Sequence, residues 1–265
     1  MKLFKTLVAT AILATGTLAT TMPAQAAITT FASYTALGTA ANIEWKKSGT
    51  ANGSVFTLAS PTATTAGSVG VTFNFLQPLL ASLGNLSAVY TLSGTSTNTP
   101  ATLLTVGSSA FLVQTIVSGS FSFIYSGTSP LVVGGVTYLT GANLLSATFT
   151  NAAIFGQNGA TSGSLSGSTE ASSLITYTSD FLNFGATLAQ DFSVGLTSMT
   201  PTLTRTNANA SLTTFKASSG GAFSTDPAPI VSAIPEPDAW ALLLVGFGLV
   251  GLQVRRRNSM TTAVC

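Results

Sequence analysis

The 265-residue sequence contains no histidine. That removes a His general base, His metal ligands, and any Ser-His-Asp or Cys-His catalytic arrangement. The single cysteine is the last residue, Cys265. No internal disulfide framework and no Cys-based zinc site can be built from it, so no cofactor is expected. Charge is scarce as well, at 6% of residues, against roughly 25% in an ordinary soluble domain. Electrostatic nucleic-acid binding needs clustered Lys and Arg, and a composition this poor in charge argues against it.

The charge that exists sits mainly at the ends. The formal total is +2. Lys2 and Lys5 open the chain, and Arg255, Arg256 and Arg257 lie near its end, partly offset by Glu236 and Asp238. Between residues 27 and 233, four bases (Lys46, Lys47, Arg205, Lys216) face five acids (Glu44, Glu170, Asp180, Asp191, Asp226), a net of −1. A body this close to neutral neither steers ions nor repels them strongly. Hydroxyls must then keep its surface wet, and Ser and Thr supply about 28% of the chain.

The N-terminus reads as an export signal. Lys2 and Lys5 form a positive n-region, and residues 7–18 form an apolar stretch of about a dozen residues, too short for a membrane span of roughly 20. Ala24-Gln25-Ala26 gives the small-x-small cleavage pattern, with Pro23 to break the helix before it. Cleavage is expected after Ala26, with Ala27 as the neighbouring option. The expected partners are signal peptidase and a Sec-type export machinery.

Three elements follow in order at the C-terminus. The first is Pro235-Glu236-Pro237, held extended because each proline fixes its own φ and keeps its predecessor out of helix. The second starts at Trp240, an interfacial side chain, and runs through Leu242, Leu243, Leu244, Val245, Gly246, Phe247, Gly248, Leu249, Val250, Gly251 and Leu252. A helix over 239–254 would be roughly 24 Å long, a marginal span for a hydrocarbon core of about 30 Å. The third is Arg255-Arg256-Arg257, which anchors the cytoplasmic side. Lys2 and Lys5 start on that side too, so everything between reads as outside.

This order resembles the PEP-CTERM sorting domain in its PEPxxWA variant, over about residues 233–257. The resemblance implies recognition by an exosortase, a membrane-embedded Cys protease or transpeptidase of Gram-negative bacteria. It implies cleavage near Pro235-Glu236-Pro237 and transient anchoring in the inner membrane. The body would then be released from the cell or displayed at its surface, in a setting often linked to exopolysaccharide and biofilm. One departure is the tail 258–265, eight residues past the Arg cluster, where such sequences usually stop sooner.

Period-2 alternation recurs through the body. Val69, Val71, Phe73 and Phe75 alternate with smaller or polar residues, as do Leu86, Ala88, Tyr90 and Leu92, then Phe121, Phe123 and Tyr125, then Phe192, Val194 and Leu196. This predicts half-buried strands. Gly, Ser and Asn clusters at 48–53, 93–98 and 159–168 read as punctuation, with 162–168 a flexible excursion. Residues 77–84 could be one short helix or a loop. The expectation is an all-β, antiparallel β-sandwich, jelly-roll-like, flanked by an N-terminal signal helix and a C-terminal transmembrane helix. The organisation is 1–26 signal peptide, 27–226 body, 227–234 Pro-rich linker, 235–257 sorting segment and 258–265 cytoplasmic tail.

Candidate chemistry in the body is thin. Glu170, Asp180 and Asp191 could form a glycosidase pair, which needs carboxylates roughly 5–10 Å apart, or hold Ca²⁺. Trp45, among Glu44, Lys46 and Lys47, could stack on a sugar or pack inside. A Ser-Lys dyad would need a lysine of depressed pKa, and Lys46, Lys47 and Lys216 lie in polar contexts. Asn52-Gly53-Ser54, Asn85-Leu86-Ser87 and Asn209-Ala210-Ser211 match a glycosylation pattern that arises by chance in such a sequence. The expected function is an exported, exosortase-sorted surface or matrix protein, not an enzyme. The alternatives are a carbohydrate-binding module and a carboxylate-dependent hydrolase.

Overall fold

The computed structural model describes residues 29–185 and 189–225, with 228–229 described by their backbone. The strands are β1 (Thr29–Ala36), β2 (Ile43–Lys47), β3 (Gly53–Thr57), β4 (Val69–Phe75), β5 (Leu86–Ser96), β6 (Thr102–Val106), β7 (Ser109–Tyr125) and β8 (Leu131–Val133). They continue with β9 (Val136–Tyr138), β10 (Asn143–Gln157), β11 (Gly163–Ser168), β12 (Leu174–Thr178), β13 (Leu182–Asn183), β14 (Asp191–Thr200), β15 (Phe215–Thr225) and β16 (Ala228–Pro229). The single helical element among the described residues is a 3₁₀ turn at Ala81–Leu83, inside the 77–84 segment. No helix among them is long and apolar enough to cross a membrane. The expected signal helix and transmembrane helix lie outside the described residues.

The alternating runs form strands as their pattern requires. In β5, Leu86, Ala88, Tyr90 and Leu92 are buried while Ser87 and Ser93 are exposed. The same holds for Val71, Phe73 and Phe75 in β4, and for Phe192, Val194 and Leu196 in β14. Apolar side chains point in and hydroxyls point out, the inverse of the transmembrane β-barrel pattern.

All pairings in the main sheet are antiparallel, and they close on themselves. β1 and β2 run in one direction as a broken strand along β15, at Tyr34↔Gly221 and Trp45↔Phe215. β4 and β3 form the next broken strand, paired to β1 and β2 on one side and to β5 on the other. The path continues β5–β7–β10, then to β11 and β12, which share the edge of β10, then β14, and β14 returns to β15. Chain order and spatial order therefore coincide around an eight-membered ring. This corrects the jelly-roll-like connectivity: the strands run up and down, and no long crossover is needed.

The ring is flattened and filled. Rings from opposite walls touch, Tyr34 of β1 with Phe123 of β7 at 4.8 Å, and Phe121 of β7 with Phe223 of β15 at 5.1 Å. Tyr90 stacks on its cross-strand partner Phe123 at 4.5 Å. Each such pair adds about 0.5–1.5 kcal/mol beyond the area it buries.

Two further corrections concern the glycine- and serine-rich segments. Residues 163–168 are not a flexible excursion but strand β11, in the ring between β10 and β14. Gly167 is there because a Cβ would lie 2.7 Å from the Phe192 ring. The 93–98 cluster is also largely strand, since β5 continues to Ser96. A change of face marks the β7–β10 ribbon. Phe121, Phe123 and Tyr125 point inward, but so do Leu112, Gln114 and Ile116. On β10 the inward set changes from Leu145, Ala147 and Phe149 to Ala152 and Ile154 at the same level. Asn151, with φ of 56°, sits where the faces exchange.

The ring has two distinct poles. Thr29 pairs with Thr225, so the first and last ring strands meet at one pole. The far pole is closed by the β14–β15 connection, residues 201–214, whose Leu203 and Leu212 are fully buried.

Candidate functional site

The sorting residues Pro235, Glu236, Pro237, Trp240, the apolar run from Leu242 and the Arg cluster lie outside the described residues, as do Ala24, Ala26 and Ala27. The described strands fix where the two processing segments attach. β1 begins three residues after Ala26, and β15 ends ten residues before Pro235. Both belong to the same pole, through the Thr29↔Thr225 pair. The expected linker does not run free from its start: Ala228 and Pro229 pair with Asn183 and Leu182 as β16 against β13. Only residues 230–234 separate that strand from Pro235.

A match to the PEP-CTERM protein-sorting motif covers residues 233–257. The chain carries a PEP-CTERM sorting motif. It is a partial segment, and it begins after the last ring strand, so no wall of the body belongs to it. The PEP-CTERM motif implies export, a C-terminally membrane-anchored precursor and an exosortase as processing partner. No curated protein and no solved structure matches the chain.

Within the body, the basic side chains hold loops. Lys46 Nζ donates to the Thr64 carbonyl at 3.1 Å, and Lys216 Nζ to the Pro61 and Ala63 carbonyls at 2.9 and 2.6 Å. Together they fasten loop 58–68 over the outer face of β2 and β15. Lys47 Nζ donates to Thr206 Oγ1, and Arg205 Nη1 to the Ala101 and Ala208 carbonyls. Glu44 lies on the outer face of β2, opposite Lys216, yet is only 4% exposed.

Trp45 is fully buried, and its indole N–H donates to the Leu212 carbonyl at 3.0 Å. It is an interior anchor and offers no face to a sugar. Its partner in that role is Gln114, which sequence reasoning missed. Gln114 Nε2 donates to Ser96 Oγ at 2.7 Å and the Thr99 carbonyl at 2.8 Å, and Gln114 Oε1 accepts from Leu212 N–H at 3.1 Å. Both backbone polar groups of Leu212 are thus held by buried side chains. A glutamine between Val113 and Thr115 carries no sequence signal for this, because the face change places it inside.

Of the three acids considered for catalysis, Glu170 and Asp191 lie in the same region, since Ser168 pairs with Asp191 and Thr169 N–H donates to the Gln190 carbonyl at 3.1 Å. Glu170 is exposed in the turn after β11, and Asp180 is exposed after β12 and accepts from Asn143 N–H at 2.7 Å. Asp191 opens β14, and its carbonyl accepts from the Tyr177 hydroxyl. Among the described residues no group of three or more His, Cys, Asp or Glu is placed to hold a metal ion. A surface groove of about 530 Å³ runs along β12 and residues 182–185, and among the described residues no charged side chain lines it. Burial pushes Tyr34 up to about 12, and Tyr90 and Tyr177 well above 10. These hydroxyls are structural: Tyr34 donates to Ser219 Oγ at 3.1 Å.

Proposed function

We propose that this protein is an exosortase substrate whose body is delivered to the cell surface or extracellular matrix of a Gram-negative bacterium. There it acts without catalytic activity of its own, in association with exopolysaccharide or biofilm. The PEP-CTERM motif at 233–257 is the observation that carries this reading. The export signal ending at Ala26 agrees with it, since both segments place the body outside. The non-catalytic part rests on how the polar side chains are used. The lysines bond loop carbonyls and a loop hydroxyl, and the hydroxyl-rich outer face suits contact with hydrated polysaccharide. A sugar site built on Trp45 is excluded by the burial of that residue.

Mass spectrometry of the protein from culture supernatant and envelope of an exosortase-containing host tests the reading. The expected product begins near Ala27 and ends near Pro235–Pro237. Recovery of the chain in the cytosol with both ends uncut would overturn it.

A further inference from the structure

β6 is the open end of the main sheet, with β7 as its one sheet neighbour among the described residues. All five of its residues are exposed, including Leu103, Leu104 and Val106. The outer face of the adjoining ribbon is apolar too. Leu104 lies opposite Phe111, Phe111 stacks on Phe155 at 5.3 Å and 9°, and Val117 and Phe155 are exposed. Natural sheets usually guard such an edge with charge or proline. Here no charged residue occurs anywhere from 48 to 169, and β6 has no proline.

We infer that the β6 edge pairs antiparallel with the β6 edge of a second copy of this chain. Three considerations select that occupant. The nearest charge, Arg205, is taken up by the Ala101 carbonyl before β6 begins, so from Thr102 to Val106 the edge offers nothing to a charged partner, whereas two copies meet there without repulsion. Antiparallel pairing of identical strands is isologous, so one dimer uses up the edge and leaves none to propagate. The processed chain's own tails, on the sorting reading above, do not reach. The residues from Ile230 to Pro237 extend at most about 28 Å. The return along β15 from Thr225 to Phe215 alone is about 33 Å, and β6 lies beyond it at the far pole. The dimer would therefore form at the pole opposite the membrane attachment.

The test uses the chain with its own signal and sorting segment, expressed in an exosortase-containing host. With Cys265→Ala as background, cysteine replaces Thr102, Leu103, Leu104, Thr105 and Val106 in turn. A two-fold between antiparallel strands leaves one position opposite itself, with Cα atoms about 4.5–5.5 Å apart, within disulfide reach. Covalent dimer is expected to peak at one of the five positions, several-fold above its neighbours. Leu174→Cys, more exposed still on β12, should stay monomeric. Light scattering of the released body should give twice the monomer mass, falling to one for Leu104→Lys. The mature termini are measured on the same samples. Processed termini with no dimer at any of the five positions, or a monomeric wild-type body, overturn the inference and leave the sorting reading intact. Shielding of the β6 cysteines from a thiol reagent by membranes alone, without dimer, overturns it as well. Uncut termini in a cytosolic chain overturn the sorting reading instead.

Discussion

Gln114→Leu should loosen the far pole of the ring. Leucine fills nearly the same volume, so the perturbation is electrostatic rather than steric. Gln114 is fully buried, so water does not replace what it supplied. Leu212 N–H and Ser96 Oγ, both buried, lose their bonds of 3.1 and 2.7 Å to the amide, and the part-buried Thr99 carbonyl loses one of 2.8 Å. Each orphaned buried group costs about 1–3 kcal/mol, and the added apolar burial returns about 1 kcal/mol. The net loss is about 3 kcal/mol, a large part of the roughly 5–15 kcal/mol typical of a domain. At about 2–4 °C per kcal/mol for this size, the melting temperature falls by about 6–12 °C. Near-UV circular dichroism of the released body reads the melting point, and hydrogen exchange reads the Leu212 amide. Thr148→Leu, on the outer face of β10, should stay within about 0.5 kcal/mol. Trp45→Phe removes the bond to the carbonyl of the same residue, Leu212, so the double variant should lose less than the sum of the singles. A fall of under about 3 °C in Gln114→Leu, with Leu212 still protected, would refute the reasoning.

Gly53→Ala places a Cβ 2.2 Å from Cζ2 of Trp45; the indole must move, a cost of about 1–3 kcal/mol, read as a lower melting temperature and a shift in tryptophan emission. Tyr34, Tyr90 and Tyr177 keep their protons in the folded state above the pH where the unfolded chain loses them, because burial disfavours the phenolate. Their contribution is full below pH 10 and is lost as pH rises from 10 toward about 12; absorbance at high pH should show these tyrosines ionising only as the fold melts, and a smooth titration of all five before melting would contradict their burial. Replacing Pro235, Glu236 and Pro237 together by alanine should hold the body in the membrane fraction and deplete the supernatant at least tenfold; undiminished release would show that another segment directs processing.

The sorting segment was readable from sequence because order alone specifies it: a rigid motif, an apolar run and a basic stop. Strands β4, β5 and β14 were readable because their alternation is local. The closure of the sheet was not, since it depends on partners nearly two hundred residues apart, Thr29 and Thr225 among them. Alternation also failed within β7. The inward set Phe121, Phe123 and Tyr125, continued upstream, would bury Val113 and Val117 and expose Gln114, the reverse of what occurs. The left-handed Asn151 on the neighbouring strand accompanies that change. Composition misled at 163–168, where glycine and serine answer to the packing of Phe192 rather than to a need for freedom.

The meeting of β1 with β15 has a kinetic consequence. A chain threaded through a membrane from its N-terminus presents β1 first and must hold it unpaired on that edge until almost the whole body has crossed. Completion therefore waits on the latest arrival, and such long-separation contacts make for slow assembly. During that interval an uncharged, strand-rich intermediate is prone to stick to its neighbours. A tether that keeps each nascent body moored at the bilayer, spaced from the others until its seam shuts, would guard against that hazard before any blade releases it.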